Sequence, residues 1–397
     1  MHTAFLVFAI IALAIQGLIL FLAFFGPDLR YRIAKPPPIP LDSEYFLSLL
    51  CVLTDAPVHR SNRVDVLTNG NCFYEAELNG IRSAKRTIHL EAYIFHRGEI
   101  GQRFVEAMTE RAVAGVKVRI VIDFIGSFST RKHYFKPLIK AGGSVKWYHS
   151  FRPDLLPQIN HRTHRELLIV DGTTAFIGGA GISDQWYKGA KNHPRWRDTV
   201  AQVHGPAVSS LQATFAQNWL RVAGEILAAE EDFDFRPADG GSTALVVNST
   251  PEAGSTRARI LFQALIACAK KRIYITTPYF LPDKSARQAL AQAVRERNVE
   301  VKIITPGVKS DHPATRGSSR HLYGSLLKDG VDVYEYQPAM IHAKTMMVDD
   351  VWAVVGSTNF DQRSFQINDE VNMAVLDAAV VERVICSPKT LPKQDTI

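Results

Sequence analysis

The 397-residue chain predicts an α/β protein. Two similar lobes with mixed, mostly parallel sheets are expected, related by a pseudo-two-fold axis, behind an N-terminal transmembrane helix. Three observations carry this. The sequence repeats itself across its middle, each copy alternates short apolar strands with amphipathic helices, and an uncharged apolar run opens the chain. The expected order is an anchor over 1–28, a first lobe over 41–228, a linker over 229–242, a second lobe over 243–385 and a short polar tail over 386–397.

The opening run, Ala4 to Phe25, contains no charged residue, and Gln16 is its most polar member. As a helix it would extend about 33 Å, matching a hydrocarbon core of about 30 Å. Gly26-Pro27-Asp28 ends it. A cleaved signal peptide fits poorly, because only His2 precedes the run and bulky Phe24 and Phe25 close it. A buried core helix would rarely be apolar on every face. Arg30, Arg32 and Lys35 follow the run and no Lys or Arg precedes it, which places the main body on the cytoplasmic side of a bacterial-type inner membrane, as a single-pass protein. Lys35-Pro36-Pro37-Pro38-Ile39-Pro40 then reads as a stiff spacer.

The repeat can be followed strand by strand. Lys85 to Phe95 resembles Lys271 to Phe280, Gly115 to Asp123 resembles Asn298 to Thr305, and Val145 to Tyr148 resembles Val333 to Tyr336. Gly101 to Ala114 shows one intervening helix, with Phe104, Met108 and Ala112 on one face. Between the copies, Ala229 to Gly241 is first acidic, then rich in Pro and Gly, as a linker would be. The 46% apolar and 21% charged content is that of a globular chain. A formal charge of +7 admits an anionic partner, nucleic acid or acidic lipid, without choosing between them. Cys51, Cys72, Cys268 and Cys386 are too dispersed for a zinc ribbon or a redox pair and are expected to be buried and reduced.

Each copy ends in a histidine pattern. The second is His342-x-Lys344-x4-Asp349, followed after six residues by Gly356-Ser357-Thr358-Asn359. The first keeps His164 and Asp171 at the same separation, followed after six residues by Gly178-Gly179-Ala180-Gly181, but holds Glu166 where the second has lysine. Both read as strand, turn, strand. Residues two apart on a strand share a face, so Lys344 could hold a phosphate beside His342, with Ser357 and Asn359 donating hydrogen bonds. Two facing copies would set two histidines on opposite sides of one phosphorus, one to attack and one to protonate the leaving oxygen. Imidazole suits both tasks, since its reference pKa is near 6.5.

These motifs resemble the duplicated HKD signature of the phospholipase D superfamily, and within it most closely the bacterial cardiolipin synthases. The resemblance covers about residues 70 to 380, through LEAYIF at 90–95, RWRDT at 195–199, GPAVSSLQATFAQNW at 205–219, TPYFLPD at 277–283 and VGSTNFDQRSFQINDE at 355–370. It implies a phosphatidyltransferase that condenses two phosphatidylglycerols into cardiolipin and glycerol through a phosphohistidine intermediate, with no metal and no other cofactor. It implies His164 as nucleophile and His342 as acid and base, with Asp171, Lys344 and Asp349 as the further catalytic residues of the motifs, Glu370 orienting His342 and Asp198 orienting His164. The implied partners are an anionic phospholipid and the membrane. Nucleic acid is disfavoured, because no basic run with interleaved aromatics is present, and no obligate protein partner is implied. The chain departs from the family in its single expected span and in the polar stretch from Ser387 to Ile397.

Glu166 is the sharpest departure. At about 4 Å and an effective dielectric near 20, one charge pair is worth about 4 kcal/mol. Exchanging attraction for repulsion therefore predicts impaired turnover, relieved by Glu166→Lys. Arg165 would point to the opposite face of a strand and could not compensate. Gly179 and Gly181 lack the Ser and Asn donors but leave backbone N–H groups accessible. The competing functions are a phospholipase D-type phosphodiester hydrolase and a degenerate paralogue that binds lipid without turning it over.

Overall fold

The computed structural model describes residues 31–149, 161–189, 193–250 and 257–384. The expected span over 4–25 and the tail over 386–397 lie outside these residues. Among the described residues no helix is long and apolar enough to cross a membrane. Cys51, Cys72 and Cys268 are free thiols. Only Cys268 is fully buried, and Cys72 is exposed rather than buried as expected.

Fourteen strands form one continuous sheet. The first seven are β1 (Val58–Thr68), β2 (Thr87–Ala92), β3 (Lys117–Asp123), β4 (Ser144–Tyr148), β5 (Glu166–Val170), β6 (Thr174–Gly178) and β7 (Thr199–His204). The second seven are β8 (Ser242–Ser249), β9 (Arg272–Thr276), β10 (Glu300–Pro306), β11 (Asp332–Tyr336), β12 (Thr345–Val348), β13 (Trp352–Gly356) and β14 (Glu370–Leu376). Reading outward from the junction, the first half runs β1-β7-β6-β5-β2-β3-β4 and the second β8-β14-β13-β12-β9-β10-β11. Each strand thus has a counterpart seven places later, as a duplicated lobe requires. The halves join where β1 pairs antiparallel with β8, with Val58 opposite Leu245.

The sheet is mixed, but mostly antiparallel rather than mostly parallel. Only the β2-β3-β4 and β9-β10-β11 ladders are parallel. These are the strands joined through helices, Glu99–Val113 and Lys284–Arg297 among them. The histidine segments lead into the tight hairpins β5-β6 and β12-β13, and a tight hairpin can only be antiparallel. Strands β2, β5, β12 and β13 are buried along their whole length, because both faces are covered.

Phe104, Met108 and Ala112 of helix Glu99–Val113 are buried in the core of the first half, as their spacing predicts. A third core is shared between the halves. It combines Leu167, Ile169 and Ile177 with Ala353, Val355, Val371 and Met373, and helix Ala207–Ala223 adds Leu211, Phe215 and Trp219. Helix Glu44–Thr54 departs from the expected boundary. It precedes β1, yet Phe46, Leu47 and Leu50 pack into the second half's core, against Leu261, Leu265 and Trp352. The expected linker is also no solvated loop throughout, since Asp232 is buried and pairs with Arg119 at 3.2 Å.

Candidate active site

The two histidine segments meet across the junction of the halves. Thr163 forms an isolated β-bridge with Asp369, and Arg197 forms one with Ile341. The His164 N–H donates to the Asp369 carbonyl at 2.9 Å, and the His342 N–H donates to the Arg197 carbonyl at 2.7 Å. Each histidine is therefore stitched by its backbone to the strand entry of the other half.

These bridges overturn the expected pairing of imidazoles with carboxylates. His164 Nδ1 lies 3.1 Å from Glu370, and His342 Nδ1 lies 2.9 Å from Asp198. Both pairs cross between the halves, since each carboxylate immediately follows the residue bridged to the histidine segment. Each carboxylate also has a second donor. Trp186 Nε1 donates to Asp198 at 2.9 Å, and Ser357 Oγ donates to Glu370 at 2.5 Å. Ser357 is fully buried, so its hydroxyl orients a carboxylate instead of facing a phosphate as expected. Gly179 stands in the Ser357 position of the first half. It has no hydroxyl, and Trp186 is the donor there.

Asp171 and Asp349 are displaced from the catalytic role expected of them. Each sits in a left-handed turn at the far end of its strand, with φ of 54° and 51°. Asp171 accepts N–H bonds from Lys85, Arg86 and Thr87, and Asp349 accepts them from Lys270, Lys271 and Arg272. These carboxylates tie each hairpin to the start of the neighbouring parallel strand. Short polar side chains tolerate positive φ and satisfy local N–H groups, which accounts for aspartate there.

Lys344 is the buried cation of the site. Its Nζ lies 3.0 Å from His342 Nε2 and 3.4 Å from the Gly179 carbonyl, so it leans from the second half into the first. A β-carbon added at Gly179 would come 2.5 Å from Lys344 Cδ, so the glycine makes room for the lysine. Likewise, a β-carbon at Gly181 would lie 2.6 Å from the Ile94 carbonyl and 3.0 Å from Glu166 Oε1. Lys344 and His342 precede β12 in an extended lead-in rather than lying within the strand.

Burial lowers the Lys344 ammonium below its usual pKa, against the opposing pull of Asp198, Glu370 and Glu166. Burial, then Lys344, push His342 down to about 4, while Asp198 opposes. Its imidazole is neutral at pH 7. Burial raises Asp198, but His342, Lys344 and the Thr199 N–H outweigh it and hold the carboxyl below its ordinary value.

Glu166 is buried and turned to the backbone. Its Oε1 accepts from the N–H groups of Tyr93 and Ile94 at 3.2 and 3.3 Å. Burial drives its pKa well above the ordinary carboxyl value, and the Ile94 N–H, Lys344 and the Tyr93 N–H only partly oppose this. A carboxyl whose pKa is raised in this way exerts less than the full repulsion expected from a glutamate at this position. Arg165 is fully buried and donates to the Thr214 carbonyl at 2.8 Å, so it does not take over the missing lysine's place.

His164, His342, Glu166, Gly179 and Asn359 share one cavity of about 190 Å³. Asn359 is buried there, and its Oδ1 has no partner among the described residues. Sequence reasoning did not single out Arg162, Arg363, Tyr93, Tyr279 or Trp196, which also line it. Tyr93 packs edge-on against His164 at 5.1 Å between ring centroids, and Tyr279 stands 6.5 Å from His342. The two tyrosines lie in segments that the repeat pairs (LEAYIF and TPYFLPD), although the strand register makes Tyr93 equivalent to Pro278 and Tyr279 equivalent to Ile94. A larger cavity of about 470 Å³, between residues 31–36 and helix Lys284–Arg297, has no histidine in its lining. The chemistry therefore belongs to the smaller one. Among the described residues no His, Cys, Asp or Glu cluster could hold a metal ion.

The family described as cardiolipin synthase, PLD-like domain, matches residues 78–219 and 262–387, more than half of the chain. A cardiolipin synthase of Listeria monocytogenes serotype 4a is 34% identical over 342 residues, covering 85% of this chain and 70% of its own. The major cardiolipin synthase of Bacillus subtilis is 34% identical over 353 residues, covering 88% and 72%. Among solved structures, a phosphatidylserine synthase from Haemophilus influenzae superposes with a TM-score of 0.66 at 14% identity, over 84% of this chain and 88% of that one. A polyphosphate kinase from Porphyromonas gingivalis superposes with a TM-score of 0.54 at 13% identity, over 90% and 50%. These two likenesses concern the fold alone. Duplicated lobes, histidines that meet at their junction and this degree of identity together establish that the chain belongs to the phospholipase D superfamily, in its cardiolipin synthase-like branch.

Proposed function

We propose that this protein is a membrane-anchored phosphatidyltransferase that moves a phosphatidyl group from one phosphatidylglycerol to another and releases glycerol. The observation that carries the reading is the pair of histidines on one cavity, each held at Nδ1 by a carboxylate of the opposite half. With Nδ1–H donated to Glu370, the Nε2 lone pair of His164 is available for attack, while Nε2 of His342 lies 3.0 Å from Lys344 Nζ.

In this reading His164 Nε2 attacks phosphorus, the bond to the glycerol oxygen breaks, and His342 supplies the proton that glycerol carries away. His342 then takes a proton from a hydroxyl of the second phosphatidylglycerol. That oxygen displaces His164 from phosphorus and completes cardiolipin. A bound diester anion opposes the burial and the Lys344 charge that lower the His342 pKa, so that His342 takes up a proton at Nε2 as the substrate binds and can then act as the acid. Lys344 and Asn359 hold the phosphoryl oxygens, Ser357 and Trp186 orient the carboxylates, and Asp171 and Asp349 brace the hairpins. The anchor is the apolar run over 4–25, and the lobes are 41–228 and 243–385 joined by 229–242, except that helix Glu44–Thr54 packs with the second. The absence of a lysine at Glu166 favours a slow enzyme, and it is also the observation that supports a lipid-binding paralogue without turnover.

Lipid product analysis of the purified full chain in phosphatidylglycerol micelles separates the readings. Cardiolipin and glycerol in equal amounts are expected, with His164→Asn and His342→Asn each lowering the rate by at least about ten-thousandfold. Phosphatidic acid as the product would make it a hydrolase. No product from the native chain would leave the lipid-binding reading. Native-like turnover in either variant would exclude the two-histidine mechanism.

A further inference from the structure

The cavity is too small for a diacyl lipid. At about 190 Å³ it has room for a phosphate and a short alcohol, whereas even drug-sized ligands occupy about 300 Å³ or more. The acyl chains must stay outside, so what borders the mouth matters.

Two loops in matching places are tied to the cavity lining, and the second contributes Asp311 and His312 to it. Phe124 to Thr130 follows β3, and Gly307 to His312 follows β10. Each is fastened to the tyrosine beside its histidine. In the first, Ser127 Oγ donates to the Tyr93 carbonyl at 2.9 Å, and a β-carbon at Gly126 would lie 2.7 Å from the Tyr93 ring. Asp123 pins the loop through the N–H groups of Ile125 and Gly126 at 2.9 and 3.0 Å, and also accepts from Thr163 N–H, next to His164, at 3.1 Å. In the second, the Tyr279 hydroxyl donates to Asp311 at 2.7 Å, and Asp311 and His312 themselves line the cavity.

Both pinned loops turn apolar side chains to solvent. Ile125 is 48% exposed, Phe128 73% and Val308 70%. Exposed apolar residues that stand singly are ordinary, but these sit on two loops that are each fastened to a tyrosine lining one polar cavity. Val113, equally exposed, sits at the opposite end of β3 and belongs to no such group. The exposed charge along the loops is mostly basic. From Phe124 to Lys140 the chain has Arg131, Lys132, Lys136 and Lys140 and no Asp or Glu. Exposed Lys309 follows Val308 on the other loop, where Asp311 is the sole carboxylate and is engaged by Tyr279. Apolar tips within a basic collar match an anionic bilayer, with the side chains entering the headgroup boundary and the nearby cations drawn to acidic headgroups.

We infer that Ile125, Phe128 and Val308 form a lipid-docking rim that seats the cavity mouth on an anionic membrane surface. The headgroup enters the cavity while the acyl chains remain in the bilayer. The inference takes its lipid partner from the phosphatidyltransferase reading, but its test requires no turnover. The full chain, carrying a genetically encoded environment-sensitive fluorescent amino acid at position 128, 308 or 113, is reconstituted into vesicles of phosphatidylcholine with roughly one third phosphatidylglycerol. Blue-shifted emission and quenching by lipids spin-labelled near the headgroup are expected at 128 and 308 and not at 113. Arg131→Glu with Lys132→Glu and Lys136→Glu should reduce the quenching at 128 at least about threefold. Equal quenching at all three positions, or none at 128 and 308, overturns the rim. So does a blue shift at 128 that grows with protein concentration without lipid, which would mark a surface between copies of the chain. Quenching at 128 and 308 without cardiolipin formation keeps the rim and removes the transferase reading. Cardiolipin formation without quenching does the reverse.

Discussion

The two histidine motifs occupy equivalent places in a duplicated sheet yet are furnished differently. In the second half, His342 is followed by Lys344, and Ser357 and Asn359 stand beyond the hairpin. In the first, His164 is followed by Glu166, and Gly179 and Gly181 take the later positions. The differences fit one another. Gly179 leaves the space that Lys344 occupies, Trp186 supplies Asp198 with a donor where a serine is missing, and Glu166 turns its carboxyl to the N–H groups of Tyr93 and Ile94. The halves thus make one site with one motif lysine. A comparison of the motifs as independent copies counts a defect, whereas the assembled site shows a division of labour.

Several substitutions would break or sharpen that comparison. The largest contrast is expected at the motif lysine and its counterpart. Lys344→Met should slow cardiolipin formation by about several hundredfold, the loss of roughly one close charge pair. Glu166→Gln should stay within about threefold, because burial already favours the protonated carboxyl. Steady-state rates in mixed micelles decide it, and a large loss in Glu166→Gln would mean that its charge is used.

Next come the crossed carboxylates. Glu370→Gln and Asp198→Asn should each reduce the rate on the order of a hundredfold, since each leaves an imidazole without its anchor. Double-mutant cycles on unfolding free energy should give about 1 kcal/mol of coupling for Glu370 with His164 and for Asp198 with His342. Coupling within each half instead, Glu370 with His342 and Asp198 with His164, would refute the crossed arrangement.

A smaller effect, about tenfold, is expected for Gly179→Ser. It makes the first motif look more like the second, but its β-carbon would press on Lys344 Cδ at 2.5 Å. A faster enzyme would show that the lysine has room elsewhere.

The last expectation concerns stability. His342 has a folded pKa of about 4, below the ordinary imidazole value of 6.5. Between these values the unfolded chain binds a proton that the folded chain refuses. Stability present above pH 6.5 is therefore lost as pH falls through that window, by up to about 3 kcal/mol. Chemical denaturation from pH 4.5 to 7 should show His342→Gln with a flatter slope by nearly one proton, and parallel slopes would contradict the neutral buried imidazole.

Much of the architecture was legible along the chain. The strand-by-strand repeat anticipated the halves that meet at β1 and β8, and the spacing of Phe104, Met108 and Ala112 identified a buried helix face. Both histidines and Asn359 were found from the duplicated motif and line the cavity, and Lys344 lies against His342. Strand direction was misjudged because apolar runs report burial without reporting orientation. Asp171 and Asp349 were given chemistry because motif spacing does not show where a carboxylate points. Left-handed turns aim both at backbone N–H groups.

The sequence by itself determined which groups are available: two imidazoles, two carboxylates, one motif lysine, and a repeat that places them on equivalent strands. Only the tertiary structure decided their partners. The bridges Thr163–Asp369 and Arg197–Ile341 carry each histidine to the other half's carboxylate, and burial, which no local pattern specifies, sets the protonation of Glu166 and His342. Spacing along a chain constrains neighbours on one strand, while pKa and pairing depend on what the rest of the fold brings within a few ångströms.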